Sequence, residues 1–221
     1  MKRISLRYLL LTSRYDQIWF PLAFWALFII LNFVRGQQYV LDNTRSYLGA
    51  VIPLVGGIMS AYAVLEDPAI ELRFATPIRT LQTLLERLLP VLVIQMLCAV
   101  TYQLVALAYG ADFSTYYPNW IDVQLAWLIP TVSLSALGCF ISLAAAHSTT
   151  GALLTGMIWL VQLVARSWFA GGRVGQYFLV FMSPLMVEHP ALRANQSALT
   201  SLSLVLIFAS WMLLRRQERY I

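Results

Sequence analysis

The side chains best suited to catalysis are few in this sequence, and their spacing builds no recognisable catalytic or metal site. His147 and His189 are the two histidines, and neither belongs to an HExxH helix or to a Cys–His set of zinc ligands. Lys2 is the single lysine, so the chain lacks the phosphate-binding loop that ends in lysine and binds ATP. A Gly-x-Ser-x-Gly elbow for acyl transfer is missing as well. We therefore expect no enzyme activity, metal or cofactor in this chain, and an ATP-driven process would need a partner.

Three polar side chains within otherwise apolar stretches could instead line a transport pathway or hold helices together. Gln95 and Gln103 fall in one predicted span, where amides more often bond helices to each other than contact a substrate. Arg166 lies near the outer end of another span, and a charge inside a bilayer is costly enough to suggest a function. An arginine near a span end can also extend its guanidinium to the lipid headgroups. Both interpretations stay open for Arg166.

The composition indicates that these residues belong to an integral membrane protein. The 221 residues are 60% hydrophobic and 11% charged, and the mean hydropathy is +0.71. A soluble domain carries about 25% charged residues, so most of this surface must face something other than water. A helix needs about 20 mostly apolar residues to cross a bilayer. We therefore predict an all-α single domain over residues 1–221 with six spans, at 18–34, 47–65, 88–109, 123–146, 151–170 and 198–214.

The distribution of basic residues predicts the orientation of these spans. One set of segments holds Lys2, Arg3, Arg7, Arg14, Arg73, Arg79, Arg87, Arg215, Arg216 and Arg219. The opposite loops hold fewer, namely Arg35, Arg45, Arg173 and Arg193. Because loops rich in lysine and arginine stay on the cytoplasmic side, both termini are predicted to be cytoplasmic. Residues 1–16 read as an interfacial helix with a basic face toward anionic lipid.

Residues 174–192 are apolar but too short to cross a membrane, and Pro184 interrupts them. They predict a re-entrant or interfacial hairpin on the outer side. The alternative is a broken seventh span, which would move the arginine-rich C-terminus outside and is disfavoured for that reason. The tripeptide NQS at 195–197, on the same predicted side, matches a short glycosylation sequon.

Small residues inside the spans predict close helix packing. Gly56, Gly57, Ser60 and Ala61 would let backbones approach, either within one subunit or at a seam between two subunits. Cys98 and Cys139 both lie inside predicted spans, where thiols usually serve as small packing residues. The two cysteines therefore predict no disulfide.

The stretch EDPAIELRFATPIRTLQTLLERLL, residues 66–89, is the least apolar long segment between two spans. Asp67 followed by Pro68 is typical of a helix start, and Pro77 disfavours helical geometry at Thr76. Thr76 can then cap a second helix that continues into the third span. The pattern predicts a short cytoplasmic helix over residues 67–76, with Phe74 on an apolar face suited to docking into another protein.

This stretch resembles the first cytoplasmic loop of ABC transporter permeases of the exporter (type 2) class. The matching residues are Glu71, Leu72, Ala75, Thr76, Pro77 and Arg79. The resemblance implies a bacterial inner-membrane permease that pairs with a second permease subunit and with a separate ATPase subunit, which binds ATP and magnesium. It also implies that the short helix is a coupling helix seated in the ATPase. The residues expected at that contact are Asp67, Glu71, Leu72, Arg73, Phe74, Thr76, Pro77 and Arg79.

Two other functional classes remain as alternatives. A secondary transporter or channel that works without an ATPase would be expected to carry carboxylates inside the membrane. None of the acidic residues falls in the middle of a predicted span. A membrane enzyme or an assembly scaffold is disfavoured by the missing catalytic sets. A stoichiometric ATPase partner would distinguish the exporter from both.

Overall fold

The computed structural model describes residues 16–66 and 80–215, and every regular element in these two ranges is helical. In chain order the helices are α1 (Asp16–Arg35), α2 (Gln37–Ala63), α3 (Thr80–Ala108), α4 (Trp120–Ala145), α5 (Ser148–Val164), α6 (Arg166–Gly171), α7 (Gly175–Phe178), α8 (Met182–Leu185) and α9 (Leu192–Leu214). Helix α2 contains a π-helical turn at Tyr47–Val51. The prediction of an all-α membrane protein is confirmed at this level.

Five of these helices, α1, α2, α3, α4 and α9, are long and apolar enough to cross a membrane. Helix α5 is apolar but has only 17 residues, which correspond to about 25 Å at 1.5 Å per residue. The chain departs from helical geometry at Ala165 and then forms α6, so the span predicted at 151–170 is not one continuous helix. Beyond the break, Phe169 and Ala170 pack against buried residues of the predicted hairpin.

Three helices begin at least six residues before the apolar spans predicted from hydropathy, and for α3 the helix signal at Thr76 and Pro77 had already predicted a start ahead of its span. Helix α2 starts at Gln37 rather than 47, α3 at Thr80 rather than 88, and α9 at Leu192 rather than 198. Hydropathy marks only the apolar part of a helix, whereas the backbone hydrogen bonds continue into polar sequence. The first turns of α3 illustrate this, since Gln82 Nε2 donates a hydrogen bond of 2.8 Å to Glu86 Oε1 one turn later.

Helix α4 lies at the centre of the bundle and packs against α2, α5 and α9. Helix α1 lies at the periphery and packs against α2 and α3. In its apolar window 11% of the residues are buried, compared with 56% in α4. Most of α1 therefore faces the surroundings of the bundle, as expected of a lipid-exposed helix.

Contacts between remote residues define the two ends of the bundle. At the hairpin end, Arg193 Nη2 of α9 lies 2.9 Å from Asp122 Oδ1 of α4. At the opposite end, Ser148 Oγ of α5 donates a 2.7 Å hydrogen bond to Glu66 Oε1, just after α2. Residues 174–192 hold the short helices α7 and α8, and both Gln162 of α5 and Asn195 of α9 bond to this segment.

Several predictions concern residues outside the described ranges. They are the interfacial helix at 1–16, apart from Asp16 at the start of α1, and the coupling helix at 67–76. The last two arginines of the chain, Arg216 and Arg219, also lie there. These remain predictions from the sequence.

Candidate functional site

All eight residues predicted to contact an ATPase lie in the undescribed segment between α2 and α3. They are Asp67, Glu71, Leu72, Arg73, Phe74, Thr76, Pro77 and Arg79. The described residues on either side of the segment share one end of the bundle, because Val64 and Leu84 belong to one buried cluster with Leu143 and Leu214. From Thr80, α3 continues without interruption to Ala108. The described residues that flank this segment, Glu66 and Thr80, therefore lie toward the end of the bundle opposite the hairpin.

Arg87, which the sequence assigned to a cytoplasmic loop, lies inside α3 and is only 8% exposed. Its neighbours along the helix, Leu84 and Leu88, belong to the buried cluster at the end opposite the hairpin. The early start of α3 brings this arginine into the bundle. Its positive charge thus belongs to the protein interior rather than to a solvated loop.

Gln103 joins α3 to α4. Gln124 Nε2 donates a 2.7 Å hydrogen bond to Gln103 Oε1, and Gln103 Nε2 returns a longer one of 3.5 Å to Gln124 Oε1. Trp127 Nε1 donates a further 3.0 Å hydrogen bond to Gln124 Oε1. The oxygen and the nitrogen of the Gln103 amide thus both bond to Gln124, so Gln103 contributes an interhelical contact.

Gln95 faces a polar cluster at the centre of the bundle. A Cβ atom added to Gly56 of α2 would lie 3.6 Å from Gln95 Cγ and 3.1 Å from Ser135 Oγ, so these two side chains converge on one glycine. Within the described part of the chain, Gln95 Nε2, Ser135 Oγ and Ser60 Oγ are buried without a hydrogen-bond partner. Buried polar groups are costly to leave unbonded, and Gln95 is only 1% exposed. This polar centre is enclosed, so it does not form an open pathway.

The glycines of α2 pack within the chain itself. A Cβ atom on Gly138 of α4 would overlap the carbonyl oxygen of Gly57, and a Cβ atom on Gly57 would lie 2.9 Å from Thr155 Cγ2 of α5. Gly56, Ser60 and the rest of the small-residue stretch therefore let α2, α4 and α5 approach closely. Of the two roles left open by the sequence, the structure assigns tight packing within one subunit.

Arg166 is exposed and begins α6, at the end of the bundle where α5 stops. It does not line the interior that surrounds Gln95. Its exposure fits the interpretation in which the guanidinium reaches the headgroup region, since no buried position holds it. The two buried cysteines, Cys98 and Cys139, are free thiols within the packed helices, as expected.

The most extensive polar anchoring involves the hairpin (residues 174–192), which the sequence analysis did not link to any span. Arg45 Nε and Nη2 of α2 donate hydrogen bonds of 3.2 and 3.0 Å to the carbonyl oxygen of Pro184. The same guanidinium lies 3.9 Å from the ring centroid of Tyr116. The sequence placed Arg45 in an outer loop, whereas the early start of α2 makes it a helical residue that holds the hairpin.

Two further side chains bind the hairpin from α5 and α9. Gln162 Oε1 accepts a 2.9 Å hydrogen bond from the backbone N–H of Val180. Asn195 Nδ2 donates hydrogen bonds of 2.8 and 3.0 Å to the carbonyl oxygens of Gln176 and Leu179. Asn195 is 0% exposed and its amide is bonded inside the fold, so the asparagine of the NQS sequon is inaccessible to glycosylation in this structure.

The π-helical turn at Tyr47–Val51 lies where the hairpin meets α2. The backbone N–H of Ile52 bonds to the carbonyl oxygen of Tyr47, five residues earlier, and Pro53 follows with no N–H to donate. A Cβ atom on Gly49 in this turn would overlap Pro184. Because glycine has no side chain, position 49 leaves room for the Pro184 ring. In the sequence, a glycine four residues before a proline (Gly49 and Pro53) is the signal that could have indicated the π-helical turn.

A polar network that the sequence analysis missed ties α1 to the bundle. Asn32 Nδ2 donates a 2.8 Å hydrogen bond to Tyr102 OH, and Asn43 Nδ2 donates a 2.9 Å hydrogen bond to Asn32 Oδ1. Arg35 Nη1 donates a 3.1 Å hydrogen bond to Asn43 Oδ1. Because α1 has few buried residues, these bonds supply specific contacts that lipid-like apolar packing does not.

A cleft of about 270 Å³ opens at the hairpin end between the 109–119 loop, α4, the hairpin and α9. Its lining includes Tyr117, Asp122, Ser183, His189, Arg193 and Gln196. Burial raises the pKa of the Tyr117 phenol above its usual value, although Arg45 beside it acts in the opposite sense. Tyr117 is therefore a neutral hydrogen-bonding group at physiological pH.

Comparison with models of known protein families, with characterised proteins and with solved structures finds no match to this chain. Among the described residues, His, Cys, Asp and Glu form no group of three that could hold a metal ion. The described part of the chain thus combines close helix packing, an anchored hairpin and a polar cleft.

Proposed function

We propose that this chain is the membrane-spanning permease subunit of an ABC exporter, driven by ATP hydrolysis in a separate ATPase subunit. The observation that carries the proposal is the sequence of residues 66–89, whose two proline-started helix signals resemble the coupling loop of such permeases. The position of residues 67–79 between two helices also supports the proposal. The segment joins two long apolar helices, α2 and α3, at one end of the bundle.

The described helices are compatible with six crossings. Five are long enough by themselves, and we propose that the shorter apolar helix α5 is the sixth. It begins beside Glu66 at one end, and Trp159 Nε1 near its other end donates a 3.0 Å hydrogen bond to the carbonyl oxygen of Ala50. It then reaches Val180 of the hairpin through Gln162. An even number of crossings puts both termini on one side, which we propose is the cytoplasm of a bacterial cell.

Helix α3 is suited to carry motion away from the coupling segment. It runs as one helix of 29 residues from Thr80, just after the segment, to Ala108 at the hairpin end. Near that end, the Gln103–Gln124 hydrogen bonds connect it to α4. A push on residues 67–76 when the ATPase closes would therefore shift α3 and α4 together. This supports alternating access powered by a partner that binds ATP and magnesium.

The translocation pathway would lie between two permease subunits, not within one. The polar centre around Gln95 is enclosed, and close glycine contacts fill the interface of α2 with α4. Conversely, several helices present large apolar side chains outward, such as Leu153, Met157 and Leu160 on α5. A second copy, or a related chain, would cover part of that surface and enclose the pathway.

The proposal is tested by co-purification. The chain, carrying a C-terminal tag and expressed with candidate ATPases encoded next to its gene, should retain one of them in stoichiometric amount after extraction in mild detergent. In vesicles, the pair should transport its substrate only with hydrolysable ATP and magnesium. Transport by this chain without any ATPase would contradict the proposal and favour the secondary-transporter alternative.

A further inference from the structure

We propose that the cleft at the hairpin end binds a zwitterion, with the ammonium of the ligand against Asp122 and its anionic oxygens against Arg193. The hairpin-end cleft is formed by four parts of the chain, and its volume is about 270 Å³. This is near the lower limit of about 300 Å³ for small-molecule sites, so it suits a headgroup rather than a bulky ligand. The proposal does not depend on an ATPase partner.

The charges in the cleft determine which ligand fits. Among the described residues, Asp122 is the one acidic side chain and Arg193 the one arginine in its lining, and Arg193 Nη2 lies 2.9 Å from Asp122 Oδ1. A lone anion would meet Asp122 and a lone cation would meet Arg193, so each would be opposed by one member of the pair. A ligand that carries both charges can satisfy both residues. Charge complementarity therefore selects a zwitterion over an ion of either sign.

Both charged groups keep hydrogen-bonding capacity for a ligand. A carboxylate accepts about four hydrogen bonds and a guanidinium donates five. Asp122 accepts one bond from Arg193 and a long one of 3.4 Å from Asn119 Nδ2. Arg193 donates only to Asp122 and, at 3.5 Å, to Gln196 Oε1 among the described residues. The Arg193 side chain is 70% exposed at the rim, so its remaining N–H groups are accessible.

The side chains at the floor of the cleft are polar and buried, and the hydrogen bond between two of them is long. Ser183 is 1% exposed, Tyr117 6% and Gln196 7%. Gln196 Nε2 donates to Ser183 Oγ at 3.3 Å, which is longer than an optimal hydrogen bond. Such groups can exchange these weak bonds for better ones with a ligand at little cost. His189 Nδ1 accepts a 3.2 Å hydrogen bond from the N–H of Ala191, so Nε2 is the ring nitrogen that can donate to a ligand.

The position of the cleft indicates the source of the ligand. Asp122 lies in the first turn of α4 and Arg193 in the first turn of α9, both at the ends of candidate spans. Charged residues at span ends lie at the headgroup level of a bilayer. Val187 and Leu192 form an apolar side of the cleft next to its polar floor. A phosphoethanolamine headgroup of a lipid fits this combination, and free phosphoethanolamine shares its chemistry.

The test uses native mass spectrometry of the full chain in neutral detergent, with phosphatidylethanolamine and phosphatidylglycerol of identical acyl chains added in equal amounts. The unaltered chain should retain mainly phosphatidylethanolamine. Asp122→Asn should shift the preference to phosphatidylglycerol, because Arg193 then lacks its counter-charge. Arg193→Gln should weaken phosphatidylethanolamine retention about tenfold, which corresponds to about 1.4 kcal/mol and to the loss of one charge-assisted hydrogen bond. Arg193→Lys should keep the preference.

Arg173→Gln is the matched control, since Arg173 is exposed near the same end and does not line the cleft. Equal retention of the two lipids by the unaltered chain, or an effect of Arg173→Gln as large as that of Arg193→Gln, would overturn the proposal. If Asp122→Asn fails to fold, the exposed Arg193 variants still decide it. Soluble O-phosphoethanolamine that displaces the lipid would identify the headgroup as sufficient, and failure to displace it would assign the site to the lipid alone.

Discussion

Arg45 and Pro184 are 139 positions apart in the chain, yet the guanidinium of Arg45 donates two hydrogen bonds, of 3.2 and 3.0 Å, to the Pro184 carbonyl oxygen. The proline ring packs against Gly49 one turn further along α2. Pro184 is thus held at its carbonyl and at its ring by a single helix. Together with Gln162 and Asn195, this contact makes the hairpin part of the bundle.

Replacing Arg45 should loosen the hairpin without unfolding the helices. Arg45→Gln removes charge-assisted hydrogen bonds and the stacking on Tyr116, together about 2 kcal/mol, which corresponds to a roughly thirtyfold larger open population of the hairpin. Amide hydrogen exchange at Met182–Leu185 should accelerate by a similar factor. Exchange in α4 should stay unchanged as the internal control. Uniform acceleration along the chain would mean that Arg45 supports the whole fold.

Close packing of α2 against α4 predicts opposite outcomes for two glycine substitutions. Gly138→Ala puts a methyl group into the carbonyl oxygen of Gly57, so the backbones must separate, at a cost of about 1–3 kcal/mol. Gly156→Ala meets nothing within 4 Å and should be neutral or slightly stabilising, since alanine favours helix. The thermal unfolding midpoint in detergent checks both. Equal midpoints for the two variants would contradict the packing described.

The proposed orientation predicts which cysteines can be labelled from outside the cell. In a background that lacks Cys98 and Cys139, a membrane-impermeant reagent should label Thr115→Cys, because Thr115 is exposed in the loop at the hairpin end. It should not label Arg3→Cys, Arg73→Cys or Glu218→Cys in intact cells. Labelling of Arg73→Cys from outside would reverse the orientation.

The proposed coupling role of residues 67–76 predicts a selective defect in ATPase association. Phe74→Ala should weaken association with the ATPase by about 2 kcal/mol, roughly thirtyfold, because aromatic anchors dominate such contacts. Transport should be lost while membrane insertion and the amount of folded permease stay the same. Glu71→Ala, expected nearer the solvated rim, is the matched control with a smaller effect. A fall in folded permease with unchanged ATPase binding would assign Phe74 to the packing of the permease itself.

The purified chain alone should hydrolyse no ATP above background, because its single lysine, Lys2, belongs to no phosphate-binding loop. Phosphate release should appear only when the ATPase partner is added. A preparation of the isolated chain that retains activity after removal of contaminating ATPases would refute this expectation.

The sequence by itself determined the class of the protein and the central parts of its helices. Long apolar stretches with few charges leave helices as the solution, because backbone N–H and C=O groups inside a bilayer must bond within their own segment. For residues 174–192, where Pro184 interrupts a stretch too short to span, the sequence predicts a hairpin, and this stays a prediction. Amides such as Gln103 could be recognised as interhelical bonds because few other roles suit them in a span.

Only the tertiary structure decided which polar residues are buried and what they bind. Hydropathy assigned Arg45 and Asn195 to outer segments by their local composition, yet Arg45 binds Pro184 and Asn195 is enclosed beneath the hairpin. The cleft likewise joins Asp122 with Arg193, 71 positions later. Such contacts depend on how helices pack across the bundle. Residues that meet from remote parts of the chain leave no periodic pattern in the sequence near either partner.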